Sequence, residues 1–296
     1  MSVLEVDPIL GHEVAIDAIE KELRVLWAQD DARTNASLIN LAVYSEKPGS
    51  LQENSAIVRE LTREHACRAI LVELDRSEQE ASMRAWVTVH CHLSQGQKSV
   101  CCEQISFALK GVSRGRFRNT VFAHVSSDLP LVVWWRGELS PLFGEGLYSV
   151  VDRFVFDSAE WAEPADSFER IRLAVSGSTR GLVVQDLAWT RSYHFRLAVA
   201  SLFDEPLAQL GLTQVNQLQL RYHPQHRTAA LELLAWTLVQ AGWEMEDLTR
   251  ARQADGALIA MSLEADATGA PLAMLCLQGM DWCCLLYTSP SPRDRG

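Results

Sequence analysis

Short, apolar-rich runs separated by amphipathic stretches constrain this chain more than any other feature. Ser37 to Tyr44 (SLINLAVY), Ala69 to Leu74 (AILVEL) and Leu129 to Trp135 (LPLVVWW) are too short for core helices. Ser37 to Tyr44 reads as a strand and Leu129 to Trp135 as a buried one, while Ala69 to Leu74 is a continuous apolar run of the kind buried on both faces in a parallel sheet. Residues 14–28 carry Ile16, Ile19, Leu23, Leu26 and Trp27 at helical spacing, a first amphipathic helix that a polar break at Gln29 to Asn35 ends. Asn54 or Ser55 is the expected cap of a helix running to about Cys67. Arg84 to Leu93 and Ser99 to Leu109 flank the turn Ser94-Gln95-Gly96-Gln97, which predicts an inserted antiparallel hairpin. Val150 to Phe156 and Gly181 to Gln185 are further strands, with a helix over Ser167 to Val175. The fold class is α/β: a Rossmann-like mixed open sheet over about 36–185, preceded by the helix and linker of 1–35.

Past Asp186 the pattern changes to a smaller α+β domain over 186–282. Ser192 is placed to cap a helix from Tyr193 to Phe203, and Leu218, Leu220 and Tyr222 alternate with polar residues as a half-exposed strand. Thr228 opens a helix with Leu231, Leu234, Ala235, Leu238 and Val239 on one face, stopped at Gly242. Ala257 to Leu263 and Pro271 to Leu277 are expected to pair with each other. Cys283 to Gly296 (CCLLYTSPSPRDRG) ends in Ser-Pro repeats and bare charges without periodicity, and reads as a non-native tail that leaves the second domain truncated.

The charge balance, 27 Lys+Arg against 38 Asp+Glu or −11, repels phosphate backbones and anionic lipid. Nucleic acid and membrane are therefore excluded as general partners. The amino terminus has no cationic segment leading into an apolar one, and no apolar run approaches the roughly 20 residues that span a bilayer, so a cytoplasmic protein is expected. Seven cysteines without a CxxC pair argue against a disulfide framework and a zinc ribbon.

No G-x-G-x-x-G or Walker-type loop follows a predicted strand, and Gly177 and Gly181 lie at the wrong end of a helix to hold a phosphate. No cofactor is expected. Across the hairpin His90, Cys91 and His92 face Cys101 and Cys102, and two His with one Cys make a zinc-type donor set. Their spacing matches no named zinc pattern, so the plainer reading is a polar outer face with buried thiols, and no metal site is assigned. Lys110, Arg114, Arg116 and Arg118 form the densest basic cluster, a solvated surface or else an anion or docking patch. No nucleophile, base and orienting-acid set emerges, which points away from an enzyme.

Three runs place large aromatics beside charges: DLPLVVWWRGEL (128–139), DLAWTR (186–191) and RYHPQHRTAALELLAWTLVQAGW (221–243). Trp134 and Trp135 point to opposite faces of a strand end. Such clusters fill cores, and they are also what protein interfaces enrich. With VDRFVFDS (151–158), a helix ending in Phe203-Asp204 and the late A-A-x-x-L-x-A-W helix, these runs in this order resemble the glucose-6-phosphate dehydrogenase assembly protein family, OpcA. Where the family has Trp-Arg after D-L-x-W-x-R, this chain has Phe195-Arg196. The resemblance implies a Rossmann-like first domain, a distinct second domain, and a non-catalytic accessory role that promotes assembly and activation of glucose-6-phosphate dehydrogenase. Trp134, Trp135, Arg136, Asp186, Trp189 and Arg191 are the residues expected to contact the partner or to organise that interface. The rival expectation is an α/β protein that binds or processes a sugar phosphate at a strand's carboxyl end.

Overall fold

The computed structural model describes residues 6–28, 33–35, 37–94, 98–111, 119–120, 122–280 and 282–288. The chain divides into two compact units, Met1–Gln185 and Asp186–Gly296.

In the first unit the elements follow as β1 (Val6–Asp7), β2 (Gly11–Val14), α1 (Ile19–Ala28), β3 (Arg33–Asn35), β4 (Ile39–Ser45), α2 (Ser50–Leu61), β5 (Cys67–Asp75), β6 (Ser82–Ser94) and β7 (Lys98–Lys110). Then come β8 (Leu131–Arg136), α3 (Glu145–Tyr148), β9 (Arg153–Phe156), α4 (Pro164–Gly177) and β10 (Val183–Asp186). The strands form one mixed sheet in the order β1-β2-β6-β7-β5-β4-β8-β9-β10, with β3 beside β7. β4 lies between β5 and β8 and is parallel to both. Six of its seven residues are buried, and the buried Asn40 among them is satisfied by donating to the Ser126 and Leu129 carbonyls and accepting from the Ser126 N–H. Ile19 and Leu23 of α1, with Ile171 and Ala174 of α4, pack on one face against Ile70, Phe107 and Trp135. Leu51 and Val58 of α2 close the other face against Leu41, Val43 and Leu71. The fold class is thus the α/β open sheet read from the sequence.

Helix α2 begins earlier than expected. Gly49, at a left-handed φ of 79°, is its N-cap, so Asn54 and Ser55 lie inside the helix. The missing cap comes from another strand: the Glu73 carboxylate of β5 accepts from the Leu51 N–H at 2.8 Å and the Ser50 hydroxyl at 3.4 Å. Capping in trans leaves no local signal.

The inserted hairpin is β6–β7, in register from Ser82 opposite Lys110 to Ser94 opposite Lys98. Cys91 and Cys101, which face each other with Cα atoms 4.1 Å apart, are joined by a disulfide, contrary to the expectation from the odd cysteine count. Direct opposition in an antiparallel pair brings the two β-carbons within bridging reach, whereas counting and local spacing carry no register. β2 crosses close to the hairpin at Gly11 (φ 91°), where a Cβ would stand 2.4 Å from the Val87 carbonyl oxygen.

The second unit contains α5 (Leu187–Arg191), α6 (Tyr193–Leu202), α7 (Pro206–Gly211), β11 (Gln217–Tyr222), α8 (Arg227–Ala241), β12 (Glu244–Asp247), β13 (Arg250–Arg252), β14 (Leu258–Ala265), β15 (Leu272–Gln278) and β16 (Cys283–Tyr287). The expected pairing of the last two apolar runs is corrected: β11 lies between β14 and β15, parallel to the first and antiparallel to the second. A non-local strand takes the central place that the short connection appeared to close. Helix α8 ends at Gly242, at a φ of 69°. Its buried stripe is Ala230, Leu233, Leu234, Thr237 and Leu238, while Val239, expected inside, is exposed. Cys283–Tyr287, expected to stand apart as tail, pairs along β15 as an edge strand.

Candidate functional site

The strand end at Trp134-Trp135-Arg136 is built by alternation. Trp135 points into the core with 0% exposure, its ring centroid 4.2 Å from Tyr44 and 6.1 Å from Phe154, and its indole N–H donates to the Glu138 carbonyl at 2.9 Å. It is a core side chain with no surface available for direct contact. Trp134, half-buried, packs on the opposite face. Above it lies Arg136, whose guanidinium carbon is 5.4 Å from the Trp134 ring centroid. The guanidinium donates to Asn54 Oδ1 at 2.6 Å and to Glu53 Oε1 at 3.0 Å, with Glu160 Oε1 at 3.8 Å. A planar donor held by oxygens at its edge and a ring at its face has little rotamer freedom left to lose.

Residues outside the candidate list fix the turn that follows. The Gly137 N–H donates to Glu160 Oε2 at 2.7 Å, and the Trp161 indole donates to the Gly137 carbonyl at 3.0 Å. Arg170 of α4 donates to the carbonyls of Leu139, Ser140 and Phe143. The only sequence signal was that charged and aromatic residues occur near elements whose strand ends converge.

At the start of the second unit Asp186 is a buried helix cap, its Oδ1 accepting from the Ala188 N–H at 2.8 Å and its carbonyl from the Thr190 hydroxyl at 2.8 Å. The Trp189 ring lies under Arg196, with the guanidinium carbon 3.3 Å from the ring centroid. Arg196 is only 9% exposed and donates to the Trp189 carbonyl at 2.5 Å and to the Ser192 hydroxyl. Burial lowers its pKa from the ordinary arginine value, against the opposing pull of Glu232 and Tyr193. Ser192, expected to cap α6 with its side chain, instead holds this arginine and donates to the Trp189 carbonyl at 2.8 Å. Arg191 is exposed. Arg196 is the organising residue of this segment; its signal in the sequence is the Phe195-Arg196 pair, a departure from the family pattern.

Of the basic cluster, Lys110 is exposed and paired with Glu78 at 3.2 Å, while Arg114, Arg116 and Arg118 lie outside the described residues. His90 stands opposite Cys102, but its Nε2 is 2.9 Å from Gln104 Oε1. The Gln104 amide donates to Ser55 and Ser106, so its oxygen accepts and His90 is assigned as the donor. His92 contacts the Thr62 hydroxyl at 3.1 Å. These rings therefore serve hydrogen-bond networks under α2. Among the described residues no group of three or more His, Cys, Asp or Glu is arranged to hold a metal, and no helix is long and apolar enough to cross a membrane.

Fold and side-chain arrangement define a class: a two-unit α/β protein whose first unit is a Rossmann-like mixed sheet, with Arg and Trp side chains locked at one strand end and at one helix start. Residues 58–173 match the family model described as the glucose-6-phosphate dehydrogenase subunit N-terminal domain, and residues 182–275 match the one described as the C-terminal domain of that subunit. The OpcA protein of Nostoc punctiforme, named for the OxPP cycle, is 23% identical over 192 residues, covering 64% of this chain and 40% of its own length. Its counterpart in Synechococcus elongatus is 25% identical over 171 residues, covering 56% and 38%. The chain thus spans about two fifths of the length of these curated relatives. The chain belongs to the OpcA family of glucose-6-phosphate dehydrogenase assembly proteins. Among solved structures, myo-inositol 2-dehydrogenase from Lactobacillus plantarum superposes with a TM-score of 0.41 at 8% identity, over 84% of this chain and 76% of that one. A myo-inositol dehydrogenase from Corynebacterium glutamicum gives 0.37 at 10% identity, over 84% and 75%.

Proposed function

We propose that this chain is a non-catalytic, cytoplasmic accessory protein that binds glucose-6-phosphate dehydrogenase and promotes its assembly and activation, at the opening of the oxidative pentose phosphate pathway. The observation that carries this reading is the pair of family models, in tandem and both described as domains of a dehydrogenase subunit. Activation then needs only that the chain bind the active form of the enzyme more tightly than the inactive one, about 1.4 kcal/mol for each tenfold shift. Trp134, Arg136, Trp189 and Arg191 are the proposed contact residues. Trp135 and Asp186 organise them from beneath, and Arg196 locks the Trp189 ring. Pre-ordered Trp and Arg pairs suit this role because little side-chain freedom is lost on docking. The test is co-purification of the two proteins together with a dehydrogenase rate assay. A stable complex and a raised rate are expected; no complex and an unchanged rate overturn the reading.

A further inference from the structure

The sheet of the second unit runs in the order β12-β13-β14-β11-β15-β16. One of its faces sends Leu218, Leu220, Ile259 and Leu275 into a core shared with Leu233 and Leu234 of α8. Alternation puts the intervening side chains on the other face, and the register aligns them across the strands. Gln217 lies beside Ala260 and Gln278, and Gln219 lies beside Ser262 and Cys276. Each of these six is exposed or half-buried, so the centre of this face is open to water. A depression of about 250 Å³ lies over the same residues. β11 and β14 nonetheless run parallel, a pairing that folded proteins generally cover on both sides.

The chemistry of the face selects what covers it. The six strands together carry three Arg against four Asp and Glu, a balance of −1 in a chain of −11. The arginines are paired internally, Arg221 with Glu264 at 3.4 Å, Arg250 with Asp247 at 3.3 Å, and Arg252 with Glu246. A strongly charged partner has little to neutralise here, and a second copy meets far less repulsion than the net charge of the chain implies. The face also complements itself. A Gln amide both donates and accepts, so Gln217 and Gln278 can serve both sides of a two-fold axis. The larger Met274 and Leu285 stand on the β15 and β16 side, and the smaller Ala260 and Ser262 on β14. A two-fold axis along the strands therefore sets the high half of one copy over the low half of the other. Five strand spacings of about 4.8 Å by strands of about 20 Å give a footprint of roughly 500 Å², so two such faces bury about 1,000 Å² in total, where specific interfaces begin.

We propose that this face docks a second copy of the chain, sheet against sheet, in a two-fold dimer. The proposal is independent of the reading as a dehydrogenase accessory protein, because its assay contains no dehydrogenase.

The test is sedimentation velocity on the full chain over a range of about 1 to 100 μM, which brackets the affinity of an interface of this size. A rise from the mass of one chain towards that of two is expected. Gln217→Glu and Gln217→Lys, both at an exposed position, should each weaken the dimer by about tenfold or more, because either charge meets its own copy across the axis. Mixing the two variants in equal amounts should restore association, since opposite charges then face each other. Far-UV circular dichroism confirms that both variants are folded. A chain that keeps the mass of one copy at every concentration would overturn the proposal. So would a dimer indifferent to both folded variants, or weakened variants that mixing fails to rescue.

Discussion

Replacing Trp135 by Ala removes a ring that has 0% exposure and lies among Tyr44, Phe143 and Phe154, with centroids 4.2, 6.4 and 6.1 Å away. Truncating a fully buried Trp costs about 3–5 kcal/mol, from lost burial plus the cavity left behind. The Glu138 carbonyl also loses its indole donor. Against a total stability of about 5–15 kcal/mol for a typical domain, that is a large share. Trp135→Phe keeps most of the packing and loses the N–H, so about 1–2 kcal/mol is expected. Urea unfolding followed by circular dichroism measures both, as midpoint shifts at unchanged slope. The folded Phe variant should retain partner binding. Trp134→Ala should do the reverse, changing stability by less than about 1.5 kcal/mol while weakening the complex. A Trp135→Ala loss below about 1 kcal/mol would refute the assignment of this ring to the core.

Burial holds the His90 imidazole below its ordinary value of 6.5, with Arg59 and His92 pushing the same way and the Gln104 hydrogen bond opposing. Above pH 6.5 both states are neutral there; below it the unfolded chain binds a proton that the folded one resists. Stability should therefore fall as pH drops from about 6.5 towards the depressed value, and His90→Asn should flatten that slope in a pH series of urea midpoints. Glu73→Ala strips α2 of its cap from β5 and should cost about 0.5–2 kcal/mol in the same assay; no loss would mean the cap is idle. Burial pushes the Cys67 thiol up to about 12 and that of Cys102 above its usual value. Neither should be alkylated in the native chain at pH 7.5, and both should react once it is unfolded, as read by mass spectrometry.

What could be read from the residues was what one element encodes by itself. The continuous apolar run of β5 announces burial on both faces, and Gly242 ends α8 where a left-handed residue is needed. What escaped depends on distant partners. The cap of α2 comes from Glu73, more than twenty residues on, so the local residues alone put the helix start too late. β11 separates β14 from β15 because pairing order is a property of the whole sheet. Alternation put Trp134 and Trp135 on opposite faces without saying which face α4 and its neighbours would cover. The Cys91–Cys101 bridge required the hairpin register. Arg196 became visible as an organising residue only when the break at Ser192 turned it back over Trp189.

The most direct test of the central claim is the rate of glucose-6-phosphate dehydrogenase from the same source, measured as NADPH production with increasing amounts of the purified chain. A saturable rise in rate is predicted, accompanied by a complex on size-exclusion chromatography and weakened by Trp134→Ala or Arg136→Ala in folded protein. A rate that stays flat at every ratio, with the two proteins eluting separately, would contradict it.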